Sequence, residues 1–449
     1  MGEASLDTLL AELASELRWD DLPAPVRERA RDRLLDALST AVAGADVAST
    51  RTALAVAESG GPDGEATLLP TGGRAGGADA ALVNGVAVHA LLFEDINLAS
   101  ADHPGAVVVP AALAAAEEAA RLGRREPRLA DLLAAIVVGY EVQLHLGAVA
   151  APGAIARGLR TTSLFGTVAA AAAAAAIWDL SGERAAVAVA LGANLSGGLI
   201  EAWSHGTMEP YLQAGMAARN GLLAARLAAA GASAAPLTFT GANGFLRAFA
   251  DQGDDGAEDP REVWRMMGVL RKPYPISGAK LGAVDSALAA HAEGFDPAAV
   301  RRVVARVPPL TKEYPGGDRK GPFATLTQAQ DSTQFCVAAA LLGRPMTSVA
   351  TFVDGYADPE VAALTQVIEV VGEPGREPAR IEVELDDGSV VVGEVDGRER
   401  QRPDLPTMAA KLRELTAAAW PAGRAEAVIE LVAAGEDRPL AELSGLIRR

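Results

Sequence analysis

Eight consecutive alanines, Ala169 to Ala176, sit inside the apolar stretch Val168 to Trp178. Alanine is the strongest helix former and its small side chain lets neighbouring backbones come close, so this stretch reads as a buried helix packed among other helices. It is too short and too weakly hydrophobic to span a bilayer, and no membrane association is expected. The bias runs through the whole chain: half of the residues are hydrophobic but only 4% are aromatic, which argues against an all-β interior. At 449 residues the chain exceeds the usual single core, so two domains are expected.

Charge and cysteine content remove several classes of function. A formal net charge of -18 argues against a nucleic-acid partner, because phosphate binding needs a basic surface, although a small local anion pocket stays open. Cys336 is the only cysteine, which rules out an intrachain disulfide and a thiolate zinc site and leaves a small core residue. The opening MGEASLDTLLAELASELRWDD is acidic and helical where a signal peptide needs a basic segment and an apolar core. The expected compartment is the cytoplasm.

Ser5 is a candidate N-cap for a helix with Leu6, Leu9, Leu10, Leu13 and Leu17 on one face, and Pro25 can open a second helix running to about Gly44. A Gly-rich loop from Gly60 to Gly77 holds a short strand-like piece, Ala66 to Leu69. Helical patterns follow at about 79–92, 106–122, 129–146, 163–180, 183–195 and 212–230. The texture then changes. Val300 to Val307 and Val367 to Val371 read as strands, and Ile381 to Leu385 with Val390 to Val395 read as a hairpin around Asp387-Gly388. Helical stretches at 284–292 and 331–342 lie among them. The tail, with helices at 408–420 and 425–434, resembles the first part. The expectation is a mostly α chain: a helical domain over 1–266, an inserted α+β domain over 267–402, and C-terminal helices over 403–449 that return to the first.

The segment from Ala81 to Ala112 joins two alanine-rich helices through a loop carrying Glu94, Asp95, Asp102 and His103. Carboxylates and an imidazole on one loop suit general acid and base work, since burial and neighbouring charge can tune them toward neutrality. Each can equally be a capping or surface residue. Five histidines, at 89, 103, 145, 205 and 291, form no HxxxH pair or similar cluster, so no metal site is expected. The glycines between Gly192 and Gly198 form no GxGxxG after a strand, so no nucleotide cofactor is expected either.

This segment also carries a resemblance. Asn84-Gly85, Phe93-Glu94-Asp95 and His103-Pro104-Gly105 are similar to the Asn-Gly, DFDD and His-Pro elements of the MmgE/PrpD family, which holds 2-methylcitrate dehydratase and cis-aconitate decarboxylase. The likeness continues through Arg27 to Gly44, Gly139 to Gly147, Gly158 to Ala175, Gly215 to Gly231, Gly241 to Phe245, Lys272 to Ser286 and Ala329 to Leu342, covering nearly the whole chain. It implies an all-helical domain with an inserted α+β lid, a homodimer, an active site between the domains, and cofactor-free lyase or isomerase chemistry on small carboxylates. A monomer by light scattering counts against the dimer.

The departures from the family pattern matter as much. The aspartate that opens the DFDD run and the threonine that follows it correspond to Leu92 and Ile96. Gly-Phe-His-x-Thr becomes Gly158-Leu159-Arg160-Thr161-Thr162, which replaces a titratable ring with a guanidinium that cannot act as a base. The lysine often found before the Gly-x-Ala-Ala helix corresponds to Pro210, and the cysteine and histidine of KPYPxCxxxH to Ser277 and Leu281; Lys272 is kept and Lys280 is new. His205 is a possible replacement imidazole and Tyr314 lies where the family often places a tyrosine. Arg319 and Lys320 among Gly316, Gly317 and Gly321 form either a mobile basic loop or a solvated turn.

The resulting expectation is a lyase that eliminates water, carbon dioxide or phosphate from a small anionic substrate. Lys272 and Arg160 grip the anion and His103 with Asp95 moves the proton, with Lys272 counted among the catalytic groups and Thr161, Thr162, Ser277, Lys280, His205 and Tyr314 among the substrate contacts. Two rivals remain: an epimerase or isomerase, which needs a second base on the opposite face, and a catalytically silent dimeric binding protein.

Overall fold

A computed structural model describes residues 5–58, 64–119, 121–251 and 263–448. The alanine run lies in the helix Thr161–Ile177, whose alanines from 169 to 175 are wholly buried. It packs on the helices Leu129–Ala156, Pro104–Glu118, Gly182–Asn194 and Glu209–Ala229, and the last of these also crosses Gly77–His89. That crossing depends on glycine. A Cβ on Gly85 would stand 2.7 Å from the Cα of Gly215, and one on Gly215 would stand 2.2 Å from the Leu82 carbonyl oxygen, so the two backbones meet where any side chain would force them apart. The helix Leu129–Ala156 is long and apolar enough to cross a membrane by length and composition, but 89% of its most apolar window is buried inside the protein. It is a core helix.

Local signals set many of these boundaries. Ser5 caps the helix Leu6–Glu16 by accepting from the Thr8 amide at 3.3 Å, satisfying a donor that the first turn leaves free. The helix Ala24–Ala43 starts at paired prolines and ends at Gly44. Other expectations shift. The helix from Leu129 runs ten residues past Leu146, carrying Pro152 inside it. The helix expected at 331–342 spans Thr333–Leu341, because Ser332 is extended and caps it by accepting from the Phe335 amide at 3.0 Å, and a further short helix, Leu326–Asp331, precedes it. Helices Ala48–Glu58 and Leu440–Ile447 and the strand Gly73–Ala75, which pairs with Ala66–Leu68, were not anticipated. Residues 60–63 of the Gly-rich loop lie outside the described residues.

The second layer is a four-stranded sheet in the order Ile368–Gly372, Val300–Val307, Arg380–Leu385, Val390–Glu394. The first pair is parallel and the others are antiparallel, with the last pair forming the expected hairpin. Helices Leu281–Ala292 and Thr333–Leu341 cover it, and Val284, Val303, Phe335, Cys336, Ile381 and Val383 close a core separate from the helical one. The chain is therefore mostly α with an inserted α+β layer. Met408, Leu412, Val428 and Leu440, from the C-terminal helices, join the first core.

Candidate active site

The loop between the helices Gly77–His89 and Pro104–Glu118 lies where the two layers meet. Ile96, on this loop, packs into the core of the α+β layer and exchanges both backbone hydrogen bonds with Leu270, at 3.0 and 2.8 Å. Asn97 and Asp102 exchange theirs at 2.9 and 3.2 Å, pinching the loop shut. Leu92 and Ala101 hold φ of 50° and 52°. For residues with a Cβ this costs about 1–2 kcal/mol each, and such strain persists where the surroundings over-determine the backbone, commonly at functional sites. Both residues line the cavity that follows.

Asp95 holds the loop in place. Its Oδ1 accepts from the Gly105 amide at 3.1 Å, in the first turn of the next helix, and its Oδ2 accepts from the Tyr140 hydroxyl at 2.5 Å and lies 3.4 Å from Arg33. Burial pushes its carboxyl up to about 6, against the pull of Arg33. His103 meets Asp95 at the backbone: Nδ1 donates to the Asp95 carbonyl oxygen at 2.8 Å. The expected carboxylate–imidazole partnership of Asp95 with His103 is not what the geometry offers.

The carboxylate beside His103 is Glu94. Its Oε1 lies 2.9 Å from His103 Nδ1, 2.6 Å from His89 Nδ1 and 3.8 Å from the Lys272 ammonium. Burial alone would raise the Glu94 carboxyl, but Lys272, His89 and His103 together hold it well below its ordinary value. On the far side of His89, Nε2 stands 2.6 Å from Arg160 Nη2. A guanidinium can only donate, so His89 Nε2 accepts and the His89 proton sits on Nδ1, pointing at Glu94. Burial keeps His89 neutral, with its pKa down to about 3. His103 is likewise pushed down by burial and by Lys272. Because its Nδ1 faces only acceptors, it carries its proton there and leaves Nε2 free of a protein partner among the described residues.

Lys272 is fully buried, and its amine makes no hydrogen bond to protein. Burial lowers it to about 8 although Glu94 opposes the shift. Arg160, the N-cap of the alanine-rich helix, donates through Nη1 to the Pro210 carbonyl at 2.5 Å and to Gln213 at 3.3 Å, and lies 5.3 Å over the Trp203 ring. Three of its five N–H donors are thus taken, and among the described residues no carboxylate lies within ion-pairing distance. With both imidazoles neutral, two cations face one carboxylate, leaving a net positive charge that an anion can compensate.

His103, Arg160, Ser277 and Tyr314 line one cavity of about 50 Å³, together with Leu92, Ile96, Leu98, Ala101, Trp203 and Leu310. Burial raises the Tyr314 hydroxyl to about 12, so it stays protonated. The other expected contacts lie elsewhere. Lys280 is buried but paired with Asp331 at 2.9 Å, 5.8 Å over the Tyr314 ring, so its charge is already spent inside the protein. Thr161 donates to the Ala101 carbonyl at 2.7 Å and steadies the loop, while Thr162 is buried away from the cavity. His205 is exposed, pairs with Glu201 at 3.0 Å and lines a separate surface cavity. Arg319 and Lys320 are anchored to the carbonyls of Ser204 and Gln366. Asn84 is structural, bridging Thr67 and Leu69 at 2.7 and 2.8 Å.

Sequence alone does not single out His89, because a histidine ending an apolar helix reads as part of that helix. The signal was its position: His89 and His103 close the two ends of the loop that holds Glu94. These three residues could in principle hold a metal ion, with ligand atoms within 4.8 Å of one another. The donor set does not favour it. Arg160 commits His89 to the tautomer whose Nδ1 is protonated, which closes that nitrogen to a metal, and the Lys272 ammonium stands against the same carboxylate oxygen. Turnover is therefore expected to survive exhaustive chelation; activity lost to a chelator and restored by one defined metal contradicts this.

Comparison with known proteins agrees with this architecture. The MmgE/PrpD N-terminal domain matches residues 8–257 and the MmgE/PrpD C-terminal domain residues 274–437. The chain is 32% identical over 271 residues to the cis-aconitate decarboxylase-like protein oryM of Aspergillus oryzae, a match covering 59% of this chain and 56% of that protein. It is 29% identical over 285 residues to the cis-aconitate decarboxylase of Aspergillus terreus, covering 61% and 57%, and 26% identical over 334 residues to that of Mus musculus, covering 69% and 65%. The matches thus span less than two thirds of each relative's length. With both of its domains matched in order along the sequence, this chain belongs to the MmgE/PrpD family.

Proposed function

We propose that this protein is a cofactor-independent lyase that removes a leaving group from a carboxylate substrate by proton transfer at a carbon next to the carboxylate. The observation that carries the reading is the His103 ring: its Nδ1 is tied to Asp95 and Glu94, its Nε2 has no protein partner among the described residues, and the ring lines the same cavity as the Arg160 guanidinium, which has no carboxylate partner there. Arg160 holds the substrate carboxylate and His103 Nε2 takes the proton. The imidazolium that forms is stabilised by Glu94, which the Lys272 ammonium, buried behind the cavity and 3.8 Å away, holds ionised. Tyr314, protonated and on the cavity wall, is placed to give a proton to the departing group. The relatives are named for decarboxylation of cis-aconitate; loss of carbon dioxide leaves its electron pair on carbon, which must then gain a proton, so that reaction differs from the elimination proposed here, in which His103 takes one. Leu92 and Ile96 put apolar walls where that branch carries polar groups, which favours a different carboxylate as substrate.

The proposal sets the pH dependence. His103 works neutral, so kcat/KM falls as pH drops through its pKa, and because burial lowers that pKa the acid limb lies below the ordinary imidazole value of about 6.5. Lys272 works protonated, so activity falls as pH rises through about 8. A bell with these limbs is expected, and Lys272→Arg, which does not titrate in this range, should remove the alkaline limb. An alkaline limb unchanged in Lys272→Arg removes Lys272 from the proposed mechanism.

A further inference from the structure

We infer that the substrate carries an apolar alkyl substituent, and that this tail lies in a second cavity beside the reaction cavity. The inference rests on the lyase reading for the position of the carboxylate head, and it adds what the rest of the molecule looks like. The reaction cavity, at about 50 Å³, has room for a few water-sized groups: a carboxylate and the carbons next to it. Beyond it lies a groove of about 390 Å³ in the α+β layer. Leu98, Gly278, Ala279 and Leu310 line both. These four residues are the wall between the two spaces.

The wall is thin and adjustable. Leu98 and Leu310 are each 43% exposed, although they are large apolar side chains on a highly acidic protein. Between them the wall is only the backbone of Gly278 and the methyl of Ala279. A Cβ on Gly278 would stand 2.8 Å from Ile96 Cδ1, so a side chain there would push into the loop that carries His103. Exposed leucines change rotamer readily, so the passage can open at these two side chains.

The groove suits a hydrocarbon. Its inner wall is Leu270, Leu281, Val307, Pro308, Ala379 and Val395. The polar groups at its rim are engaged with one another or with protein: Arg398 pairs with Glu377 at 3.0 Å and with Asp396 at 3.2 Å, Gln401 donates to Asp285 at 3.2 Å, and Thr311 donates to the Ala279 carbonyl at 2.9 Å. No cation there is left for a second carboxylate. The reaction cavity agrees, offering one unpaired guanidinium among Leu92, Ile96, Ala101 and Trp203. A compact acid bearing three carboxylates would leave charges against apolar walls, whereas a carboxylate head with an alkyl tail matches both spaces.

The test is a homologous series in two arms. In the first, saturated 2-alkylpropanoates with the alkyl group from methyl to hexyl are titrated calorimetrically against the protein; in the second, the corresponding 2-alkyl-3-hydroxypropanoates, which can lose water after removal of the hydrogen next to the carboxylate, are offered for turnover. Affinity should rise roughly fourfold for each methylene until the groove is full. Gly282 faces the groove inside a helix, and a Cβ there meets only Ala379 Cβ at 3.8 Å. Gly282→Leu should therefore fold, fill the groove and flatten the series, and Leu310→Asp should weaken the long members most. A series that is flat in the native protein, or equally steep in Gly282→Leu, overturns the inference. Turnover with a flat series leaves the lyase reading standing without the tail; a rising binding series with no turnover supports the groove and removes the lyase.

Discussion

Replacing His103 by Asn should lower kcat by roughly a hundredfold or more, the usual scale for a lost general base or acid, with little change in melting temperature. The asparagine amide can still donate from near the Nδ1 position to the Asp95 carbonyl oxygen, the bond that fixes His103 in its loop at 2.8 Å. It cannot supply anything at Nε2. The substitution thus separates the two jobs of the ring. If His103 only fastened its loop, His103→Asn would lower the melting temperature and leave kcat of the folded fraction nearly unchanged. Proton transfer would then have to pass to another group such as Lys272, whose amine makes no hydrogen bond to protein and is lowered to about 8.

Arg160→Gln should raise KM by about ten- to a hundredfold and lower kcat less, because a hydrogen bond to a charged group contributes about 1.5–3 kcal/mol and much of it is already present in the ground state. The fold will also be strained. Arg160 supplies the Pro210 carbonyl and His89 Nε2, both buried, and the shorter amide reaches neither in the same way. The kinetic split distinguishes the roles: a structural arginine lowers the melting temperature and leaves KM of the folded fraction alone. Arg160→Lys should restore KM only in part, since an ammonium keeps the charge but not the fork that serves His89, Pro210 and a carboxylate together.

Local signals carried much of the fold. The alanine run, the Ser5 cap, the Asp387-Gly388 hairpin and the strand Val300–Val307 could be read because each rests on propensity or spacing over a few residues. The Ser332 cap, which starts the helix Thr333–Leu341 after Asp331, could not, since serine serves a helix interior poorly but a cap well and only the packing decides between them. At the site, the loop with Glu94, Asp95 and His103 was legible as a cluster, but which carboxylate faces the imidazole was not. Adjacent loop residues point in different directions, and this loop has left-handed backbone at Leu92 and Ala101 that no sequence pattern announces. Lys280 and His205 show the other limit. Sequence gave their chemistry, while their neutralisation by Asp331 and their exposure beside Glu201 come from residues distant in the chain or from the surface they occupy.

The proton-transfer claim can be tested without knowing the leaving group. Carboxylates that have a hydrogen on the carbon next to the carboxylate but no group to eliminate are incubated with the protein in deuterium oxide, and loss of that hydrogen is followed by proton NMR. Deuterium should enter at that carbon with the native protein, at a rate that falls at least roughly a hundredfold in His103→Asn. No exchange with any carboxylate that binds, or exchange equally fast in His103→Asn, contradicts His103 as the base.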